Sequence, residues 1–213
     1  MIRSASVLLL AMLMPPYHGM AQEPPAPTLI QSPGPWSDAG FIQMEKDYEG
    51  VPQKIESGEL SGVAYRFYYT DGSGSFAGER GNRLQLAERN NWSVACSKDP
   101  INDAKSCYMY VRDLWVFAHS PGKVVVSIGH DHYPGSTVAI RIDGRAPSTA
   151  RVINNGTFSH DASTRIVQDL RKAKTVTTRY MEWPYRSWVD ETWEIYGFNE
   201  ALDYITWAVR QIR

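Results

Sequence analysis

The most chemically suggestive stretch of the sequence is His130-Asp131-His132. Two imidazoles and a carboxylate are groups that bind transition metals, so this loop could supply two ligands to a metal-dependent hydrolase. A complete site needs a third ligand, and His119 and His160 lie too far along the chain for spacing to assign them that role. The competing interpretation, which we favour, is a polar turn between two strands. The sequence therefore predicts no bound metal and no cofactor.

Other catalytic patterns are missing from the sequence. It lacks the G-x-S-x-G nucleophile elbow, the H-E-x-x-H zinc motif and the P-loop. Asp190, Glu191 and Glu194 suggest the paired carboxylates of a glycosidase. Alternation along a strand nevertheless places Asp190 and Glu194 on the solvent face, opposite Val189 and Trp193. We therefore predict no catalytic residues and a protein that is not an enzyme.

Three large aromatic rings lie within six residues near the C-terminus: Trp183, Tyr185 and Trp188, with Arg186 among them. Exposed loops often hold recognition residues, and Trp, Tyr and Arg are enriched where proteins bind partners. These four residues are the candidate binding site, for a protein, a cell-envelope component or, if the rings are coplanar and exposed, a carbohydrate. The alternative is structural, with Trp183 and Trp188 capping the core between sheet and helix.

The two cysteines, Cys96 and Cys107, lie on segments that alternate like neighbouring strands, with a turn-rich linker between them. In an oxidising compartment such a pair forms a disulfide more often than two free thiols. Closing so short a loop stabilises a fold by about 3 kcal/mol in the chain-entropy model.

The N-terminus has the features of a secretory signal. A basic start, a short apolar run ended by prolines, and small residues before Gln22 predict a signal peptide over residues 1–21 with cleavage after Ala21. Residues 22–60 are predicted to form a proline-rich leader and N-terminal extension, poorly packed up to residue 35. The expected location is the periplasm or the exterior of the cell.

Composition excludes some classes of partner. The formal net charge is −1, which argues against nucleic acid or an anionic membrane as the main partner. No later stretch is long and apolar enough to cross a membrane as a helix. The sequence does not indicate an oligomeric state.

Hydrophobic periodicity predicts a mainly β fold: an antiparallel β-sandwich or barrel-like domain over residues 61–213, with two peripheral helices. One helix is expected over 162–173 with Asp161 as its N-cap, and a second, amphipathic one at the C-terminus after Gly197. Asp143-Gly144 is the strongest hairpin signal. A short helix is predicted around 40–48, and one strand from Cys107 to about Phe117.

Several motifs resemble the invasion-associated locus B (IalB-like) family of exported bacterial proteins. They are Trp92-x-Val-x-Cys96 with Cys107, the Val-Ser-Ile … Val-x-Ile-x-Ile-Asp143-Gly144 hairpin, and Gly197-Phe198-x-x-Ala201-Leu202 after a helix and strand. The resemblance covers about residues 91–207. It implies a periplasmic or surface-exposed β-rich domain, linked in some members to virulence and host-cell entry, and implies no catalytic residues. We expect a non-enzymatic exported domain that binds a protein or an envelope component.

Overall fold

The larger of two antiparallel sheets has eight strands that follow one another in chain order. The computed structural model describes residues 28–30, 34–36, 40–81, 84, 89–152 and 156–213. The strands are β1 (Gly40–Lys46), β2 (Pro52–Leu60), β3 (Val63–Tyr68), β4 (Gly74–Phe76), β5 (Trp92–Lys98), β6 (Lys105–Val111), β7 (Leu114–His119) and β8 (Lys123–Ile128).

The smaller sheet has four strands and is built from the second half of the chain. Its spatial order is β10-β9-β11-β12, so the helix between β10 and β11 returns the chain to pair beside β9. The elements are β9 (Thr137–Ile142), β10 (Ser148–Arg151), α1 (His160–Leu170), β11 (Thr175–Glu182), β12 (Ser187–Glu194) and α2 (Phe198–Gln211).

The predicted fold class is confirmed. Most of the structure is antiparallel sheet, the two sheets are open, and buried side chains of both sheets and both helices join one hydrophobic core. Among the described residues, neither helix is long and apolar enough to span a membrane.

Helix α2 covers the inner face of the larger sheet. The predicted apolar stripe, from Phe198 to Ile212, is buried, and the helix contacts β4, β5, β6 and β7. Tyr204, which the stripe did not include, is also buried, and its hydroxyl donates to the carbonyl of Gly72 at 3.0 Å. The predicted disulfide joins Cys96 to Cys107 across β5 and β6, where the two residues are in register.

The N-terminal part of the sheet differs from the prediction. Residues 40–46 form strand β1 and not a helix, because the backbone pairs with β2 over its whole length. No apolar period marks β1, since its side chains are exposed or half-buried. Strand β2 in turn pairs with β3, so the sheet is continuous across the boundary predicted at residue 61.

The leader also packs more closely than predicted. Ile30 is fully buried, its N–H donates to the carbonyl of Tyr69 at 3.0 Å, and it bridges to Ile212. The interpretation of 22–35 as poorly packed is therefore wrong at Ile30. The predicted signal peptide and the cleavage site after Ala21 lie outside the described residues.

Two boundaries elsewhere also differ. The strand predicted from Cys107 to Phe117 is a hairpin of β6 and β7, turning at Arg112 with a φ of 52°. Helix α1 is capped by Ser159, whose side chain accepts from the Ala162 N–H, and not by Asp161, which lies in the first turn. A hydroxyl at the cap satisfies a donor that the helix cannot pair internally.

Candidate functional site

The candidate binding residues lie at one tip of the smaller sheet. Strands β11 and β12 pair in register from Thr175↔Glu194 to Glu182↔Ser187, so the four residues 183–186 form the connecting loop. Trp183 is 53% exposed, Tyr185 76% and Trp188 51%. The core-capping interpretation of Trp183 and Trp188 is therefore wrong. We call Trp183, Tyr185, Arg186 and Trp188 the hairpin cluster.

A second loop supports the hairpin cluster. The backbone N–H of Trp183 donates to the carbonyl of Asp131 at 2.6 Å, and that of Tyr133 donates to Met181 at 2.8 Å. The ring of Tyr133 lies 5.5 Å from that of Trp183, and the guanidinium of Arg186 lies over the Tyr133 ring at 4.6 Å. Tyr133 thus contacts both Trp183 and Arg186 of the hairpin cluster. The sequence did not indicate this role, because Tyr133 lies far from both residues along the chain.

Trp188 occupies the solvent-facing side of β12. Arg179 lies over its ring at 5.6 Å and forms two hydrogen bonds with the carboxylate of Asp190, at 2.6 and 2.5 Å. These bonds lower the pKa of Asp190 and raise that of Arg179. Among the described residues, the ring contact of Trp183 is with Tyr133 and the cation–π contact of Trp188 is with Arg179.

The polar run at 130–132 forms the loop between β8 and β9. His132 donates its Nε2–H to the carbonyl of Ile128 at 2.6 Å, which removes that nitrogen as a metal ligand. His130 is exposed, with Nδ1 3.3 Å from Asp131 Oδ2. In the part of the chain that the structure describes, no three His, Cys, Asp or Glu side chains converge on a point that could hold a metal. The metal-dependent alternative therefore finds no third ligand there.

The β8–β9 loop packs closely on the ring of Tyr180 at Gly129. Gly129 has a φ of 75°, and a Cβ at that position would lie 2.5 Å from the ring of Tyr180. The Tyr180 ring thus lies directly beneath the loop, within 6 Å of the centroids of both His130 and His132. Burial, with the charges of Asp113 and nearby carboxylates, raises the pKa of Tyr180 to about 12.

The acidic residues of β12 separate into two faces. Asp190 and Glu194 are exposed, as strand alternation predicted. Glu191 faces the other way and pairs with Arg89 and with Arg112 of the β6–β7 turn, joining the two sheets. Beside this junction Asp113 is buried, and its pKa is raised, first by burial and then by the charge of Glu191.

No model of a protein family, no curated protein and no solved structure matches the chain.

Proposed function

We propose that this protein is an exported domain that works by binding, not by turnover, and that its partner docks on the hairpin cluster. The observation behind the proposal is the exposure of three large aromatic side chains, two on the loop 183–186 and one on the adjoining strand β12. Exposed rings cost free energy in water, and Trp, Tyr and Arg are the residue types that dominate binding energy at protein interfaces.

The contacts that hold the side chains of the hairpin cluster in place are a second argument for a binding role. Tyr133 holds Trp183 and Arg186 before any partner arrives, and Arg179 lies over Trp188. A surface that is ordered in advance loses less conformational entropy on association. The proposed partner is a protein or a component of the cell envelope, because Trp, Tyr and Arg dominate the binding energy of protein interfaces.

The proposed compartment is the periplasm or the exterior of the cell. The signal-like N-terminus and the Cys96–Cys107 disulfide support export, since disulfides persist where the environment is oxidising. The IalB-like resemblance, with its link to host-cell entry, belongs to the same proposal.

Site-specific photo-crosslinking tests the proposal. A photoreactive residue replaces Tyr185 in the full chain, expressed in the cells that produce it, and the matched control replaces Tyr48, which is 96% exposed on the turn between β1 and β2. We expect a discrete adduct from position 185 and none from position 48. The adduct should disappear when Trp183 and Trp188 are both changed to alanine.

Two results would contradict the proposal. Equal adducts from positions 185 and 48 would mean that exposure alone governs capture. An adduct that survives the double tryptophan variant would mean that the partner does not use these rings.

A further inference from the structure

A second aromatic surface lies on the outer face of the larger sheet. Strand alternation turns one set of β6 and β7 side chains into the core and the other set outward. We call the outward set the ring face; all its members are half-buried, and they are Tyr108, Tyr110, Trp115, Phe117 and His119.

The rings of this face are ordered against one another. Trp115 lies 4.3 Å from Tyr110 with 15° between the ring planes, and 6.2 Å from Phe117 with 12° between them. Phe117 and His119 follow at 6.4 Å and 9°. Three consecutive outward rings of β7 therefore share one orientation.

The residues in register beside four of these rings have short side chains, whereas His119 lies beside Lys123. Ala95 and Val125 flank the row of Tyr108 and Phe117, and Ser93 and Ser127 flank the row of Tyr110 and Trp115. Such short side chains do not reach over an adjacent ring, so the rings stand higher than their neighbours on the sheet. A ligand approaching from solvent meets the rings first.

A polar loop borders one end of the ring face. The β8–β9 loop and the rings of Trp115 and Phe117 line an open cleft of about 590 Å³, to which His130 and Asp131 also contribute. Small-molecule sites in proteins fall in this size range and combine apolar walls with a few polar groups. This cleft therefore has the size and the mixture of surfaces of a binding site.

The charges of the cleft narrow the choice of ligand. Asp131 is the one formally charged side chain among its described lining residues, and the imidazole of His130 lies beside it. A carboxylate disfavours phosphate and other anions. It does accept hydrogen bonds from hydroxyl groups, while an aromatic floor packs against C–H surfaces. A neutral sugar ring offers both: one apolar face and a perimeter of hydroxyls.

We propose that this cleft binds a neutral saccharide, with the sugar ring packed on Trp115 and Phe117 and its hydroxyl groups donating to Asp131. The site shares no side chain with the hairpin cluster, so it does not depend on the proposed partner surface. It would give the protein a second ligand, of a different chemical class.

Calorimetric titration of the full chain tests this site with cellotetraose, maltotetraose and the β-1,4-linked tetramer of N-acetylglucosamine. Phe117→Ala removes part of the floor. Asp131→Asn removes the carboxylate charge while keeping a residue type that tolerates the left-handed backbone at this position, where φ is 46°. Tyr48→Ala, on the exposed turn between β1 and β2, is the control outside the cleft, and Trp188→Ala tests whether the sugar binds the hairpin cluster instead.

We expect at least one of the three tetrasaccharides to bind, each cleft variant to weaken its binding at least ten-fold, and Tyr48→Ala to leave its binding unchanged. Failure of all three sugars to bind would overturn the proposal. So would binding that Trp188→Ala abolishes and the cleft variants do not. Choline chloride and inorganic phosphate are titrated in parallel, and binding of either one in place of the sugars would also overturn it. None of these results depends on the crosslink at position 185, so the two proposals fail separately.

Discussion

Two clusters of large aromatic side chains in this protein, each of which contains tyrosine, have opposite environments. Tyr65 and Phe67 on β3 and Phe76 on β4 are buried; the rings of Phe67 and Phe76 contact Tyr204 of α2, and that of Tyr65 stacks on both. The hairpin cluster projects from the end of the smaller sheet and keeps half or more of each of its three rings exposed. Residue type alone therefore does not decide which rings build the core.

The difference arises from what lies opposite each cluster. Every second side chain of β3 is buried, and the ring of Phe67 on this strand contacts Tyr204 and Trp207 of α2. The loop at 183–186 has no such element over it within the described ranges, and its contacts come from the side, through Tyr133. One cluster stabilises the fold, and the other is left available to a partner.

The largest expected effect is a difference in the free energy of unfolding between an alanine variant of the buried cluster and one of the hairpin cluster. Phe67→Ala removes a ring that contacts Tyr65, Tyr69 and Tyr204, and should lower the free energy of unfolding by about 3–5 kcal/mol. Trp188→Ala removes a larger but exposed ring and should change it by less than about 0.5 kcal/mol. Urea denaturation measures both. If Trp188→Ala lowered the free energy of unfolding as much as Phe67→Ala does, the two clusters would not differ in their contribution to stability.

The hydroxyl groups of two tyrosines give a matched and smaller test. The Tyr69 hydroxyl donates to Oε2 of the fully buried Glu56 at 2.6 Å and accepts from the Gly34 N–H at 3.1 Å. Tyr69→Phe should therefore lower the free energy of unfolding by about 1.5–3 kcal/mol, as for hydrogen bonds to charged groups. Tyr185→Phe should leave it unchanged. A Tyr69→Phe variant as stable as the wild type would show that Glu56 does not need this donor.

A pH series probes the junction between the two sheets and has the smallest expected effect. Because the pKa of Asp113 is raised in the folded state, the folded state holds this proton more tightly than the unfolded state. Stability should thus fall as pH rises through the ordinary Asp range near about 3.9 and up to the raised value. Asp113→Asn cannot ionise and lacks this decline.

The stability of Asp113→Asn relative to the wild type should therefore improve from about pH 3 to about pH 7, when unfolding is measured at each pH. A difference that is constant with pH, or that moves in favour of the wild type, would contradict the environment assigned to Asp113.

The parts of the fold that could be predicted from the sequence are those where apolar residues recur with a regular period along an element and pack against another element. Val176, Thr178 and Tyr180 alternate on β11 and are buried as expected, and the stripe of α2 covers the large sheet. The two cysteines fall in register because β5 and β6 are neighbours. Each of these patterns is local and reports directly on burial.

The β6–β7 hairpin was missed although the sequence contains its signal. Buried residues occupy odd positions from Cys107 to Val111 and even positions from Leu114 to Ala118, so the alternation changes phase at Arg112-Asp113. A single strand cannot change phase without a bulge or a turn. The residue pair itself is not among the common hairpin turns, which hid the change.

The candidate site was only half predictable. Its four residues could be named from their types, but a loop has no periodicity from which to infer exposure. The support from Tyr133 depends on how two loops meet in space, fifty residues apart along the chain. The ring face was not predicted, because residues 107–117 were predicted to form one strand and not the β6–β7 hairpin whose outer side carries these rings.

Oxidative footprinting, read by mass spectrometry, tests the central claim most directly. Hydroxyl radicals should label Trp183, Tyr185 and Trp188 in the purified full chain and leave the buried Trp92 unlabelled. Incubation with a cell-envelope fraction from the producing cells should then protect the three exposed residues and leave labelling of Tyr48 unchanged. Labelling of Trp183 and Trp188 that is as slow as that of Trp92, or that the envelope fraction does not alter, would contradict the claim that the hairpin cluster is a recognition surface.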